Sequence, residues 1–262
     1  MKYIFLLTLS CSSMNGMEKN IFANESFIKY SKKTLGEFEK TPNDLQGVAL
    51  CHNGKIQEGL LFLKNQANIK KDDPEYWNHI GNCHFLNNDY MKAKFYYTVS
   101  LQTAERKNIK YPSALNNIGI VYLSQKNIKG AVEAFTKVHQ QAPELAIPLY
   151  NLGQIYLEYG YFSKSIECFV KLYGMNQKDP DILSSLGSAY SRNKNFVESE
   201  KYFKAMSRSD LKGYPECVLD YVRTLIGLNL FKDSKKILSY YGDKENEEYK
   251  TLEKLINEGL KK

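Results

Sequence analysis

The sequence predicts an all-α fold, an α-solenoid in which helix-turn-helix hairpins repeat about every 34 residues. Apolar residues recur at three- and four-residue steps through most of the chain, as on one face of a helix. Gly81, Gly119, Gly153 and Gly187 are separated by 38, 34 and 34 residues, and each lies in the same local frame. One hairpin cannot bury both of its apolar faces, so copies stacked side by side are expected.

The clearest hairpin spans residues 112–143. Each of its two helices carries an apolar stripe, the first formed by Leu115, Ile118, Tyr122 and Leu123 and the second by Ala131, Val132, Phe135 and Val138. Pro143 ends the second helix because proline lacks an amide proton. We expect Gly119 to face Ala131, since two residues with little or no side chain let the helix axes approach closely.

Three further hairpins repeat this pattern. Each Gly is followed 12 positions later by a small residue and four positions beyond that by a ring: Ala93 and Tyr97, Ala131 and Phe135, Ser165 and Phe169, Ser199 and Phe203. This pattern resembles the tetratricopeptide repeat family, whose signature is W-x2-L-G-x2-Y, then A-x3-F, then P. The resemblance implies a right-handed α-solenoid of about six repeats that serves as a protein-binding scaffold.

The predicted organisation has four parts. They are a lipoprotein-like signal at 1–11, a tether with one short helix at 12–41, a repeat array at 42–244 and a C-terminal capping helix at 245–262. The repeats occupy 42–73, 74–111, 112–145, 146–179, 180–214 and 215–244.

Three of these elements depart from the regular repeat. The first repeat is degenerate, with Gly59 in the small-residue place and a short first helix near 43–52. Between Tyr97 and Pro112 the period lengthens by four residues, which indicates either a longer second helix or a longer loop. The last repeat has Val222 where Gly is usual, so its two helices are expected to splay.

The amino terminus predicts export. A lysine, an apolar run from Tyr3 to Leu9 and small residues before Cys11 follow the order of a secretory signal. Its end at Cys11 resembles a bacterial lipoprotein signal, in which the cysteine thiol is lipidated. Thr8 departs from that pattern, which has Leu there. The alternative is a cytoplasmic protein whose first residues are only an apolar start, or whose initiator is Met14 or Met17.

The residue after the cysteine bears on the location. Ser12 follows the cysteine, where an Asp would retain the protein at the inner membrane of enteric bacteria, so the resemblance favours the periplasmic side of the outer membrane.

Charge and composition argue against a nucleic-acid partner. The chain has 36 Lys and Arg against 29 Asp and Glu, a net charge of +7, without a dense basic run. A specific nucleic-acid binder concentrates its cations on one face. The many aromatic residues are explained by the rings that the repeat requires.

The resemblance places a partner-binding groove on the first helices of the repeats. Its residues are Asn78, His79, Asn82, Phe85, Asn116, Asn117, Ile120, Tyr150, Asn151, Gln154, Leu157, Ser185, Ser188, Arg192 and Arg223. One polar residue recurs per repeat, at His79, Asn117, Asn151, Ser185 and Asp220.

This polar run has two interpretations. Side-chain amides donate and accept together, so the run could pair with the backbone of an extended peptide. Alternatively, these side chains form hydrogen bonds within the repeats. The apolar residues beside the run would serve as binding anchors. The positions of the Lys- and Asn-containing clamp that grips a terminal carboxylate hold Asn78, Asn82, Ser113 and Asn117, so that mode is not predicted.

No catalytic chemistry is predicted. The four histidines, His52, His79, His84 and His139, have no convincing ligand spacing, and His84 is expected to pack inside a hairpin. Nucleotide-binding fingerprints are absent from the sequence. We therefore expect no enzymatic activity, cofactor, metal or small-molecule substrate.

The remaining cysteines are expected to be unpaired. Cys51 and Cys83 lie in the first helices of neighbouring repeats, and packed helices stand about 8–10 Å apart. A disulfide needs Cα atoms closer than about 7 Å. Cys168 and Cys217 lie in other repeats, so all four are expected to behave as small apolar residues.

The sequence thus predicts a non-enzymatic scaffold, held to a membrane by lipid and bound to another protein. Its size and repeat number are similar to those of the pilotin-type assembly factors of type IV pili, which help the secretin ring assemble in the outer membrane. The alternatives are an outer-membrane barrel-assembly lipoprotein and a soluble cytoplasmic adaptor.

Overall fold

The structure is a computed structural model that describes residues 45–261. Over this range the chain forms 15 helices and no strand, which confirms the predicted all-α repeat fold. The predicted signal, Cys11, the tether and its short helix at 26–38 lie outside the described residues.

The chain divides after Pro148 into two compact units. The helices of the first unit are α1 (Gln46–His52), α2 (Ile56–Asn65), α3 (Ala67–Lys70), α4 (Pro74–Leu86), α5 (Tyr90–Arg106), α6 (Pro112–Ser124) and α7 (Ile128–Gln141). Helix α8 (Ala146–Glu158) begins at the boundary. The second unit continues with α9 (Phe162–Met175), α10 (Pro180–Arg192), α11 (Phe196–Lys204), α12 (Arg208–Gly213), α13 (Pro215–Gly227), α14 (Phe231–Leu238) and α15 (Glu247–Gly259).

Consecutive helices pack as hairpins inside each unit. In the first unit these are α1 with α2, α4 with α5 and α6 with α7, and in the second α10 packs on α11 and α13 on α14. First helices also pack on the next first helix, α1 on α4, α4 on α6 and α10 on α13. Each hairpin therefore covers an apolar face that its neighbour leaves bare, as the repeat pattern predicts.

The first helices share a length and a start signal. Helices α4, α6, α8, α10 and α13 each contain 13 residues. Four of them begin with proline, at Pro74, Pro112, Pro180 and Pro215, where its fixed φ suits the first helical turn. These shared starts keep equivalent residues in one register.

The glycine of each hairpin lies against the ring 16 residues later. A Cβ at Gly119 would stand 2.6 Å from the ring of Phe135, and the other three hairpins show approaches of 2.5–2.8 Å. The ring, and not Ala131, is therefore the nearest neighbour of Gly119. The small residue still adjoins the glycine backbone, since Ser165 Oγ donates to the Gly153 carbonyl at 2.9 Å.

In the last hairpin, different residues occupy the places of the glycine and the ring. Val222 replaces the glycine, and Leu238 replaces the ring. Both are buried in one cluster with Tyr249, Leu252 and Ile256 of the capping helix α15. The larger residue on one helix is thus matched by a smaller one on the other. Leu255 of the same helix is exposed.

A disulfide joins Cys51 of α1 to Cys83 of α4, so the prediction that these cysteines are unpaired is wrong. The prediction compared the distance between two helix axes with the largest Cα–Cα distance that a disulfide allows, although these are different distances. Because Cα atoms lie about 2.3 Å from the axis, facing Cα atoms stand up to about 4.6 Å closer than the axes. The two Cα atoms are 5.3 Å apart. Cys168 and Cys217 are free and buried, as predicted.

Two features of the connections are resolved by the structure. The extra four residues of the second repeat lengthen helix α5, which has 17 residues and whose buried Ser100 donates to the Pro74 carbonyl at 2.6 Å. Helices α3 and α12 were not predicted. Helix α12 begins with a capping box, in which Ser207 and Asp210 satisfy each other's backbone amides.

Candidate functional site

In the first unit, three asparagines tie the first helices together. Asn117 Nδ2 of α6 donates to Asn78 Oδ1 at 3.0 Å and to Asn82 Oδ1 at 3.2 Å, both on α4. Asn82 Oδ1 also accepts from the hydroxyl of Tyr97 at 3.0 Å. All three amides are buried, and Asn117 is only 1% exposed. Little of the Asn117 surface is therefore available to a partner, and its hydrogen bonds join neighbouring repeats, whereas the structural interpretation placed such bonds within one repeat.

The other predicted residues of the first unit differ in accessibility. His79 is buried, with Nε2 3.6 Å from Glu75 Oε1. Asn116 and Ile120 are also buried. Phe85 is half-buried, with its ring centroid 5.5 Å from that of Tyr90. Among these side chains, Phe85 has the largest share of its surface available to a partner.

In the second unit, a polar network links α8 to α10. Gln154 Nε2 donates to the hydroxyl of Tyr150 at 2.9 Å and to Ser185 Oγ at 2.8 Å. Burial, reinforced by the negative charge of Asp181, raises the pKa of Tyr150, so this hydroxyl stays protonated at neutral pH. Tyr150 and Gln154 are half-buried, so both can reach a partner.

Asp181 also holds the start of helix α13. The hydroxyl of Tyr214 donates to Asp181 Oδ1 at 2.6 Å. Burial and this hydrogen bond raise the pKa of Tyr214. Three further predicted residues of α8 and α10, namely Asn151, Leu157 and Ser188, are buried.

A charged network follows on helices α10, α13 and α15. Asp220 is 3% exposed, and its two carboxylate oxygens accept from Arg192 Nε at 3.3 and 3.2 Å. Arg223 Nη1 also donates to Asp220, and Arg223 Nη2 donates to Glu248 of the capping helix. Sequence reasoning identified both arginines but missed Glu248, because its place on the capping helix gave no signal of a contact with the repeat.

The predicted groove residues thus fall into two groups. Five reach the surface, namely Phe85, Tyr150, Gln154, Arg192 and Arg223, while the other ten are buried. The first group offers rings, an amide and guanidinium groups, which suit contacts with a polypeptide.

The histidines show the surroundings of packed side chains. His84 stacks on Tyr96 with ring centroids 5.1 Å apart, as its predicted packing role requires, and burial lowers its pKa. Burial also lowers the pKa of His52 to about 3, so this imidazole is neutral at physiological pH.

The described part of the chain has neither a metal-binding cluster nor a membrane-spanning helix. Between residues 45 and 261 we find no group of three His, Cys, Asp or Glu side chains arranged to hold a metal ion. No helix in this range combines the length and apolar character that a membrane span requires.

Comparison with protein families finds the tetratricopeptide repeat, which matches residues 148–179. No curated protein matches the chain. The matched stretch corresponds closely to the repeat predicted at 146–179, which contains Gly153, Ser165 and Phe169.

Several solved structures share the fold. PilF of Pseudomonas aeruginosa is 17% identical, covers 78% of this chain and 89% of its own, and superposes with a TM-score of 0.63. A tetratricopeptide repeat protein from Parabacteroides merdae is 14% identical, with coverage of 86% and 88% and a TM-score of 0.60. YrrB, described as having an unusual peptide-binding site, is 15% identical, with coverage of 76% and 98% and a TM-score of 0.58. At these identities the likeness establishes the fold alone.

Proposed function

We propose that this chain, which is built from tetratricopeptide repeats, is a non-enzymatic scaffold that binds a protein or peptide through the first helices of its hairpins. We propose further that a lipid on Cys11 anchors it in the bacterial envelope, where it acts in assembly of a complex such as the type IV pilus secretin.

The observation that carries the binding proposal is the shared register of the first helices. In each unit it brings a half-buried ring, Phe85 or Tyr150, to the first-helix side. Gln154, Arg192 and Arg223 add polar groups that are partly exposed. A ring beside hydrogen-bonding groups is a common composition of protein-binding surfaces. The peptide-binding site described for YrrB, which has the same fold, supports this proposal.

The location is supported by two independent features. The first is the signal-like sequence that ends at Cys11. The second is the buried disulfide between Cys51 and Cys83, because disulfides persist in oxidising compartments such as the periplasm and are rare in the cytosol. The disulfide disfavours the cytoplasmic adaptor, which is the first alternative.

The envelope role is supported by the fold that the chain shares with PilF over 89% of that protein. An outer-membrane barrel-assembly lipoprotein is the second alternative, since it would need the same anchor and the same kind of groove. These two roles differ in the partner that each requires.

Radiolabelled palmitate tests the anchor. We expect label in the wild-type chain and none in Cys11→Ser, with Cys168→Ser as a matched control that keeps the label. Cys168 is buried, and burial raises the pKa of its thiol to about 11, so it should not be modified. An unlabelled wild type would remove the membrane anchor from the proposal.

Crosslinking in cells, followed by identification of the captured protein, tests the partner. Capture of a secretin subunit supports the pilus role, and capture of barrel-assembly subunits favours the alternative. Capture of cytosolic proteins alone would contradict the envelope role.

A further inference from the structure

Two arginines on neighbouring first helices share one buried carboxylate. Arg192 lies at the end of α10, Arg223 lies in α13, and Asp220 stands one turn before Arg223. Asp220 is almost inaccessible, whereas the arginine side chains are 36% and 37% exposed. The carboxylate therefore fixes the inner part of each guanidinium, while the outer part lies at the surface of the protein.

Not all N–H donors of the two guanidinium groups are used in hydrogen bonds within the protein. Arginine carries five N–H donors in a rigid fork. Arg192 uses only Nε, toward Asp220, and its two Nη atoms have no partner among the described residues. One aspartate balances only one of the two guanidinium charges, so the arginine pair can hold a second carboxylate.

A second carboxylate is already present on one side. Glu248, from the capping helix, accepts from Arg223 Nη2, and its side chain is 44% exposed. This contact shows that the site can hold a side-chain carboxylate on its outer face. Because Glu248 is at the surface, a competing carboxylate could displace it with little rearrangement.

We propose that Arg192 and Arg223 form a carboxylate-binding subsite that takes an acidic side chain of the partner, in competition with Glu248. The inference rests on the proposed function, because the subsite lies on the same first-helix side. Planar guanidinium groups recognise carboxylates with two parallel hydrogen bonds, and groups that are already oriented lose less freedom on binding. The partner segment accordingly presents an Asp or Glu side chain at this subsite.

The test uses the full chain and two fluorescent peptides, acetylated and amidated so that no terminal carboxylate is present. One alternates glycine with glutamate and the other glycine with glutamine. Binding is measured by fluorescence anisotropy near physiological salt, where contacts that depend only on net charge are weakened. A third peptide, the glutamine sequence with a free carboxyl terminus, separates side-chain recognition from recognition of a terminus.

We expect the glutamate peptide to bind about tenfold more tightly than either glutamine peptide. Arg192→Ala should remove most of that preference, and Arg192→Lys should not restore it, because lysine lacks the fork. Glu248→Gln should tighten binding of the glutamate peptide about threefold, since it removes the competitor. Lys232→Ala is the matched control, because it deletes one exposed positive charge on the second helix α14 and should change nothing.

Arg192→Ala also weakens the surroundings of buried Asp220, so its fold is checked by circular dichroism. The Glu248→Gln arm does not depend on that check, because Glu248 is exposed. The inference is overturned if the glutamate preference is absent, if Glu248→Gln leaves it unchanged, or if Lys232→Ala reduces it as much as Arg192→Ala. A stronger preference for the free carboxyl terminus would also overturn it. The partner captured by crosslinking decides the proposed function separately.

Discussion

At the scale of single residues, the repeated glycine is required by a ring. A Cβ at Gly119 would lie 2.6 Å from the Phe135 ring, closer than unstrained packing allows. Overpacking costs about 1–3 kcal/mol, and the helix preference of alanine returns up to about 1 kcal/mol, so Gly119→Ala should lower the free energy of unfolding by about 1–2 kcal/mol. Urea unfolding measures the change.

Gly174→Ala is the matched control for that substitution. Gly174 is helical, and nothing lies within 4 Å of its added Cβ. Alanine there should stabilise the protein by up to about 1 kcal/mol. Equal effects at the two positions would show that the ring does not dictate the glycine.

The second residue-scale prediction concerns Asn117. Its amide is buried and donates to Asn78 and Asn82, so Asn117→Ala leaves two buried acceptors with fewer donors. We expect the free energy of unfolding to fall by about 1–3 kcal/mol. Asn257→Ala, at an exposed position of α15, should have little effect. Unchanged stability with weakened partner binding in Asn117→Ala would instead support a direct contact.

At the scale of elements, the disulfide joins two hairpins that are otherwise held by packing and by the hydrogen bond from the Tyr76 hydroxyl to the Leu63 carbonyl. Cys51 and Cys83 are 32 residues apart in sequence, and such a link typically stabilises a protein by about 2–4 kcal/mol. Urea unfolding with and without reductant should therefore differ in the wild type. The difference should persist in Cys168→Ser/Cys217→Ser and vanish in Cys51→Ser/Cys83→Ser. A reductant effect that survives in the latter variant would contradict the pairing.

The hairpin turns carry a second element-scale prediction. Six of them contain a residue with positive φ, and Lys126 and Lys194 adopt this conformation at φ +61°. Because a side chain is disfavoured there, Lys126→Gly should stabilise the α6–α7 hairpin by about 0.5–1 kcal/mol. Lys137→Gly, in the middle of α7, should destabilise it by about 1 kcal/mol. Thermal melting distinguishes the two, and a loss of stability in both variants would contradict the account of the turn.

Elements that depend on local spacing were predictable from the sequence. The glycines at positions 119, 153 and 187 predicted the hairpins, because each glycine contacts a ring within its own repeat. The sequence does not decide between a longer α5 and a longer loop, because four extra residues fit either one. Helix α12 was missed, although Ser207 and Asp210 supply a capping signal. The disulfide was missed because it depends on the distance between facing Cα atoms of two hairpins.

At the scale of the whole molecule, the sequence predicted the scaffold better than the chemistry of its surface. Fifteen groove residues were assigned from repeat positions, yet the polar run proved buried. Repeat position alone does not reveal which amides bond to each other, as Asn117 does with Asn78 and Asn82. It also does not reveal contacts from the cap, such as that of Glu248 with Arg223.

The central claim is that the first helices, and not the second, contact the partner. Site-specific photocrosslinking in cells tests it most directly, with a photoreactive residue at Phe85 and Gln154 on first helices and at exposed Phe95 and Val170 on second helices. The account predicts a crosslinked partner from Phe85 and Gln154 and none from Phe95 or Val170. Crosslinks from Phe95 and Val170 without any from Phe85 and Gln154 would contradict it.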